Sequence, residues 1–107
     1  MQYEIYQTKE LKKKLKKIKN PHINRIIQGI SKLSTDPYHE GIRLKGGNVK
    51  GLRSHREGDI RIIYSICEEC RLNNFDKIRN CVDCESLPTN ALKVFDADFR
   101  KGVYDKF

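Results

Sequence analysis

The spacing of apolar residues predicts a short strand followed by an amphipathic helix at the start of the chain. Residues 3–6 alternate between apolar and polar side chains, which is typical of a strand. Leu11, Leu15 and Ile18 then recur at helical spacing and define one apolar face. Thr8 precedes this face and is placed to cap the helix at its N-terminus.

A second apolar stripe predicts a second helix, which begins at Asn20-Pro21 and ends at Asp36-Pro37. The stripe consists of Ile23, Ile26, Ile27, Ile30 and Leu33. Two helices with a short link form an antiparallel hairpin, and such a hairpin can lie across one face of a sheet. Residues 37–50 are predicted to be a loop that leads into a strand.

The later part of the chain is predicted to form strands. Ile60–Ile66 is rich in β-branched residues, and 52–56 is a strand that the turn at Gly58 joins to it. Residues 91–96 form a further strand, and 98–107 form a short helix or turn. The sequence therefore predicts an α+β fold, in which an N-terminal strand and a two-helix hairpin pack on a small antiparallel sheet.

The charge balance favours a polyanionic partner. The 107 residues include 22 Lys and Arg against 14 Asp and Glu, which gives a net charge of +8. The outer face of the first predicted helix is almost entirely basic, with Lys12, Lys13, Lys14, Lys16, Lys17 and Lys19. RNA, DNA, the ribosome or an acidic protein would suit this charge, and a solvated surface of scattered lysines is the alternative.

Length and hydropathy predict one domain over residues 1–107, without a membrane segment. The charged Glu4 follows the first residues closely and no apolar run comes after it, which argues against a signal peptide. We therefore expect a cytoplasmic protein. In a reducing compartment, its cysteines would be thiols or metal ligands rather than disulfides.

The four cysteines predict a structural metal site. Cys67 and Cys70 form one C-x2-C pair, Cys81 and Cys84 form another, and ten residues separate the pairs. Four thiolates satisfy tetrahedral Zn²⁺ and leave no position for a substrate, so the zinc would be structural rather than catalytic. Disulfides, free thiols and an iron–sulfur cluster are the alternatives.

Three groups of residues resemble the motifs of the RelE/ParE superfamily of bacterial and archaeal toxins. They are Leu44-Lys45-Gly46, then Arg56 with Gly58-Asp59-Ile60-Arg61 and Ile63-Tyr64, and finally Phe99-Arg100-Lys101-Gly102-Val103-Tyr104. The resemblance covers about residues 1–66 and 91–107. It implies a RelE-like fold in which the cysteine segment, residues 67–84, is an insertion between the last two strands.

The RelE branch of this family cleaves mRNA on the ribosome by attack of a ribose 2′-oxygen on the adjacent phosphate. The resemblance implies that Arg61 and Arg100 hold the phosphate, that Arg56 assists them, and that Tyr104 stacks on a base or orients the ribose. Arginine suits this role because its permanent charge can bind two phosphate oxygens at once. Further RNA contacts are assigned to Lys45, Lys50 and Arg53.

The chain departs from the family pattern at the residues that transfer protons. RelE has two lysines on the strand before the turn, and the matching positions here are Leu52 and Ser54. Arg53 and His55 lie one place out of step, and a bulge near Gly51 would be needed to turn them toward the site. With such a bulge, His55 would be the best general acid or base, and an ordinary surface histidine is the alternative.

Three functions follow from these observations. The first is the toxin of a type II toxin–antitoxin pair, a metal-independent and ribosome-dependent mRNA endonuclease with a small acidic antitoxin as partner. The second is an inhibitor of DNA gyrase like the ParE branch, and the third is a zinc-stabilised nucleic-acid-binding module. The alternative to phosphate binding is a structural role for the arginines. Asp96 or Asp98 could form a salt bridge with Arg61 or Arg100 and neutralise its charge.

Overall fold

The computed structural model describes residues 2–19, 22–44, 51–73, 88 and 90–99, which form an α+β fold as predicted. The elements in chain order are β1 (Glu4–Gln7), α1 (Lys9–Lys17), α2 (His22–Thr35), α3 (Pro37–Glu40), β2 (Ile42–Arg43), β3 (Arg53–Glu57), β4 (Ile60–Ile66), α4 (Cys67–Leu72) and β5 (Ala91–Phe99). The segment predicted as a loop contains the single turn α3. The last strand continues to Phe99 instead of ending at Asp96.

The five strands form one mixed sheet in the order β1-β5-β4-β3-β2. The pairs β2–β3, β3–β4 and β4–β5 are antiparallel, whereas β1 lies parallel to β5. The sheet therefore differs from a purely antiparallel one at this edge. A parallel pair requires a long connection, and the intervening helices and strands supply it.

The two long helices cover one face of the sheet. Thr8 caps α1, because its Oγ1 accepts a hydrogen bond from the backbone N–H of Leu11 at 3.2 Å. Leu11 of α1 and Ile26 and Leu33 of α2 are buried against the sheet residues Ile60, Ile62, Tyr64, Ile66, Leu92 and Val94. We call this side of the sheet the helix face and the opposite side the second face. In the described ranges, no helix has the length and hydrophobicity needed to cross a membrane.

The β4–β5 ladder contains the one irregularity seen in the described strand pairs. Ile63 pairs with Asp96 and Tyr64 pairs with Val94, so Phe95 has no opposite residue and forms a bulge. The sequence hypothesis required a bulge near Gly51 instead. It is wrong for β3, whose residues 53–57 all pair in regular register with β4.

The buried Tyr64 side chain packs closely against Gly41, the residue that precedes β2. Tyr64 is fully buried, and its hydroxyl donates a hydrogen bond to the carbonyl oxygen of Pro37 at 2.6 Å. Burial is the main reason why the pKa of Tyr64 rises to about 12. A Cβ atom at Gly41 would lie 2.1 Å from the Tyr64 hydroxyl oxygen and 2.9 Å from two ring carbons.

We expect Gly41→Ala to destabilise the protein by about 1–3 kcal/mol, because the added methyl group would displace either the buried ring or the α3–β2 segment. Chemical denaturation measures this change. Gly29→Ala is the matched control, because its Cβ would meet a flexible side-chain end, Cδ1 of Ile62, at 2.5 Å, and alanine favours the helix. If Gly41→Ala is as stable as the wild type, the close contact does not restrain this segment.

Candidate functional site

The β3–β4 hairpin places two of the predicted catalytic arginines side by side. Arg56 and Arg61 are register partners. Directly opposed residues of an antiparallel pair project from the same face, with Cα atoms about 4.5–5.5 Å apart. The neighbours of Arg61, Ile60 and Ile62, pack against the helices, so both arginines project from the second face. We call Arg56 and Arg61 the arginine pair.

The two members of the arginine pair differ in exposure. Arg56 is exposed, and its Nε donates a hydrogen bond to the carbonyl oxygen of Gly58 at 3.1 Å. Arg61 is half-buried and lies in register between Arg56 on β3 and Asp98 on β5. Two guanidinium groups that project from one face of a hairpin can donate hydrogen bonds to the same anion. The arrangement is suited to a phosphate group.

A small apolar cluster adjoins the arginine pair on the second face. Leu52 and Ile63 are fully buried, and Leu44 and Phe95 pack against them. Ser54 is also buried, at 2 % exposure, and it is the register partner of Ile63. Leu52 and Ser54 occupy the positions at which the resembled toxin has lysines, so neither position offers a titratable group.

His55 lies on the helix face, away from the arginine pair. It is 5 % exposed and is close to Gly29 of α2. Its Nδ1 is 2.7 Å from the carbonyl oxygen of Glu40, and its Nε2 is 2.9 Å from Oε1 of Glu57. The prediction of a catalytic His55 is therefore corrected, and so is the alternative of a surface histidine. Regular alternation along β3 turns this ring into the core, where it joins β3 to α3.

Arg53 also lies on the helix face, where it has a structural role. Its Nε and Nη2 donate hydrogen bonds to the Glu69 carboxylate at 2.9 and 2.8 Å, and its guanidinium lies 5.3 Å from the centre of the Tyr38 ring. The side chain is 11 % exposed. The predicted RNA contact of Arg53 is corrected for this reason, because its charge is already paired with a buried carboxylate.

Glu69 of α4 joins the cysteine segment to the strands. Its carboxylate accepts hydrogen bonds from Arg53 on β3 and from Arg43 on β2, and its side chain is 5 % exposed. Burial alone would raise the pKa of Glu69, but the hydrogen bonds from Arg53 and Arg43 outweigh burial and lower it below the ordinary value. The carboxylate is therefore held ionised between two cations.

The described half of the predicted metal site lies on a helix. Cys67 and Cys70 begin α4 rather than a turn, and both are buried. Residues three apart on a helix share one side. Cys67 packs with Ala91 and Tyr6, and the Cys70 thiol lies 3.6 Å from the carbonyl oxygen of Gly51. No cluster of three or more metal-binding side chains occurs among the residues described, which include two of the four cysteines.

Asp96, one of the two carboxylates that the sequence offered as a partner for the arginines, is bound to α1. Its Oδ1 accepts hydrogen bonds from Nζ of Lys14 and from the backbone N–H of Ala97, both at 2.9 Å. Asp96 is 5 % exposed, so this ion pair ties the bulged part of β5 to the first helix. Six predicted site residues lie outside the described residues and remain predictions: Lys45, Lys50, Cys81, Cys84, Arg100 and Tyr104.

Stability should fall in acid, because the buried Glu69 and the half-buried Glu57 have lowered pKa values in the folded state. Burial opposes ionisation of Glu57, but hydrogen bonds with His55 and Lys32 outweigh burial and lower the pKa of Glu57. In the same way, hydrogen bonds from Arg53 and Arg43 lower the pKa of Glu69. A carboxyl group with a lowered pKa stabilises the fold above its unfolded pKa, about 4.3, and this stabilisation is lost as the pH falls through the folded value.

We therefore expect the free energy of unfolding to decrease steadily from pH 5 downward, as measured by urea denaturation at several pH values. Glu69→Gln should make this dependence shallower, because glutamine does not titrate. An acid profile that is identical in wild type and Glu69→Gln would contradict the assignment of Glu69 to the acid transition.

Solved structures match the fold of this chain, whereas no sequence family matches it. No protein-family model matches the chain, and no curated protein sequence matches it. A solved structure of the toxin–antitoxin complex RelBE2 from Mycobacterium tuberculosis superposes with a TM-score of 0.68 at 19 % identity, covering 94 % of this chain and 100 % of the other. The archaeal RelE–RelB complex from Pyrococcus horikoshii gives 0.60 at 22 % identity, covering 95 % and 99 %.

These likenesses place the chain in one class of structure, the compact α+β fold of toxin chains from toxin–antitoxin complexes. Within that class, its fold is the RelE-like fold. The resemblance stated from sequence motifs is confirmed at the level of fold, whereas the four-cysteine insertion stays a prediction.

Proposed function

We propose that this chain is the toxin of a type II toxin–antitoxin pair and that it cleaves mRNA on the ribosome. The observation that carries the proposal is the arginine pair: Arg56 and Arg61 share one face of the β3–β4 hairpin on a RelE-like fold. The net charge of +8 supports a nucleic-acid substrate.

In the proposed reaction, the ribose 2′-oxygen attacks the neighbouring phosphorus, and the bond to the 5′-oxygen of the next nucleotide breaks. The products are a 2′,3′-cyclic phosphate and a free 5′-hydroxyl. Negative charge increases on the phosphate oxygens in the transition state, and two fixed guanidinium groups stabilise that charge. Arg61 is half-buried, so its interaction with the phosphate is screened less by water than that of Arg56. Arg100 and Tyr104 would complete the site.

The partner proposed here is a small antitoxin with an acidic segment. The two structural neighbours are themselves toxin–antitoxin complexes. Because the chain carries an excess of cations, an acidic partner would bind it with electrostatic complementarity.

Induced expression of the chain tests the proposed function. We expect growth arrest, together with new transcript ends at a fixed position within codons of translated messages, and both should disappear when the partner is co-expressed. Growth arrest without codon-positioned transcript ends would contradict the nuclease.

Inhibition of DNA gyrase is the second candidate function, and one observation favours it. Leu52 and Ser54 are buried and do not titrate, and His55 faces the helices, so the strand beside the arginine pair lacks the expected proton acceptor. A supercoiling assay separates the two functions. Inhibition of gyrase by purified protein, without RNA cleavage, would favour the second.

We also propose that Cys67, Cys70, Cys81 and Cys84 hold a structural zinc ion. The supporting observation is that Cys67 and Cys70 lie three residues apart on α4, which places their sulfur atoms on one side of the helix. Four thiolates leave no open coordination position, so the metal would stabilise the fold and take no part in RNA cleavage.

Chelation of the metal should lower the melting temperature by roughly 10 °C or more, because loss of a ligand that binds only the folded state removes its contribution to stability. Thermal denaturation with and without a strong chelator measures this. Cys67→Ser should give the lower melting temperature without chelator and little further change with it. Metal analysis that finds no zinc or iron in reduced protein would contradict the site.

A further inference from the structure

A ridge of lysines runs along the outer side of α1, on the opposite side of the sheet from the arginine pair. It consists of Lys9, Lys12, Lys13, Lys16 and Lys17, and all five are exposed. None of them forms an ion pair or a side-chain hydrogen bond with the described residues. The remaining helical lysine, Lys14, is half-buried and bonds to Asp96. We call the five exposed residues the lysine ridge.

The lysine ridge repels itself. Lys9, Lys13 and Lys17 follow one another at intervals of four residues, as do Lys12 and Lys16. Residues four apart on a helix are neighbours at a rise of about 6 Å, and like charges at this spacing destabilise the helix. Glu10 is the single acidic residue of α1. A surface that is unfavourable in the free chain becomes favourable when a polyanion covers it.

The helix dipole explains only part of the lysine ridge. Lys16 and Lys17 lie in the last turn of α1, where a positive charge is favourable. Lys9 begins the helix, where the dipole disfavours a cation, and Lys12 and Lys13 lie between these ends. Structural reasons therefore do not account for the first three lysines.

The composition of the lysine ridge favours a phosphate backbone over a protein partner. The apolar residues of α1, Leu11 and Leu15, pack into the core together with Ile18, so the ridge has no exposed apolar anchor. Protein interfaces depend on buried aromatic or aliphatic anchors. Phosphate contacts need only charge and reach, and lysine provides a mobile point charge for them.

We propose that the lysine ridge binds the phosphate backbone of a structured RNA while the arginine pair, on the other face of the sheet, holds the strand to be cleaved. This inference extends the proposed function, because it gives the protein an RNA-docking surface separate from its cleavage site. The expected ligand is folded RNA recognised without regard to sequence.

Binding of a 30-nucleotide RNA hairpin at several salt concentrations tests the proposal. The ridge variant carries Lys12→Gln, Lys13→Gln, Lys16→Gln and Lys17→Gln. We expect its affinity to be at least about tenfold lower near 0.1 M salt, and the slope of log K against log salt to decrease by about 3, since each phosphate contact contributes roughly 0.7–0.9. Its melting temperature should change little, because the relief of repulsion within α1 offsets the lost dipole interaction of Lys16 and Lys17.

A matched variant with arginine at the same four positions keeps the charge and should bind the hairpin like the wild type. The double variant Arg56→Ala and Arg61→Ala should retain most hairpin binding. The proposal is overturned if the ridge variant binds the hairpin with unchanged affinity and slope. It is also overturned if the ridge variant loses binding to polyglutamate but keeps the hairpin, since the ridge would then be a dock for an acidic protein.

The two failures are distinguishable. If the wild-type protein cleaves no RNA but the ridge variant still loses hairpin binding, the lysine ridge stands and the nuclease does not. If codon-positioned cleavage occurs and the ridge variant binds the hairpin normally, the nuclease stands and the lysine ridge does not.

Discussion

Replacement of Glu69 by alanine is expected to lower the free energy of unfolding by about 3–5 kcal/mol, because removal of one partner from a buried ion pair leaves the other charge uncompensated. Arg53 is the charge left behind, at 11 % side-chain exposure, while Arg43 is 48 % exposed and can return to water. Such a change removes much of the stability of an ordinary small domain. The melting temperature should fall by about 12 °C or more.

Urea denaturation measures the effect, and Glu68→Ala is the matched control. Glu68 is the preceding glutamate on α4 and is exposed, so its loss should change stability by less than about 0.5 kcal/mol. The double variant Glu69→Ala with Arg53→Leu should recover part of the loss, because the unpaired charge is gone. A change below 1 kcal/mol for Glu69→Ala would show that α4 is not held by this ion pair.

The largest functional effect is expected at the arginine pair. If the proposed nuclease is correct, Arg61→Ala should lower the rate of mRNA cleavage by about 10²–10³-fold, which is the usual loss when a charge-stabilising donor is removed from a transition state. Arg56 is more exposed, so Arg56→Ala should have a smaller effect. Single-turnover cleavage on programmed ribosomes measures both rates.

Two variants control for charge and folding. Arg61→Lys keeps the charge but loses the two-point contact with phosphate, and it should recover only part of the rate. Lys19→Ala removes an exposed cation just after α1 and should leave the rate unchanged. Full cleavage activity in the double variant Arg56→Ala and Arg61→Ala would exclude the arginine pair from the reaction.

Local patterns predicted most of the fold correctly. The cap at Thr8, the turn at Gly58 and the strand Ile60–Ile66 each depend on a few neighbouring residues, and each lies where the pattern predicts it. The parallel pairing of β1 with β5 connects residues far apart in the chain. No periodicity within either segment specifies which partner it will have or in which direction.

The candidate site shows the same division. Alternation along β3 places Arg56 on one face and Arg53 and His55 on the other, and the sequence already set the latter two out of step with the family's catalytic positions. The corrections to Arg53 and His55 therefore follow from a regular strand without the postulated bulge. No local pattern in the sequence indicates the role of Glu69, because its partners Arg53 and Arg43 are 16 and 26 residues away.

The most direct test of the account replaces one oxygen atom in the substrate. Ribosomes are programmed with an mRNA that carries a 2′-deoxynucleotide on the 5′ side of the scissile phosphate, and cleavage by the wild-type protein is compared with that of the all-ribose message. The account predicts that cleavage at that phosphate is abolished while the all-ribose message is cut. Equal cleavage of both messages would contradict attack by the ribose 2′-oxygen and the assignment of the arginine pair to that reaction.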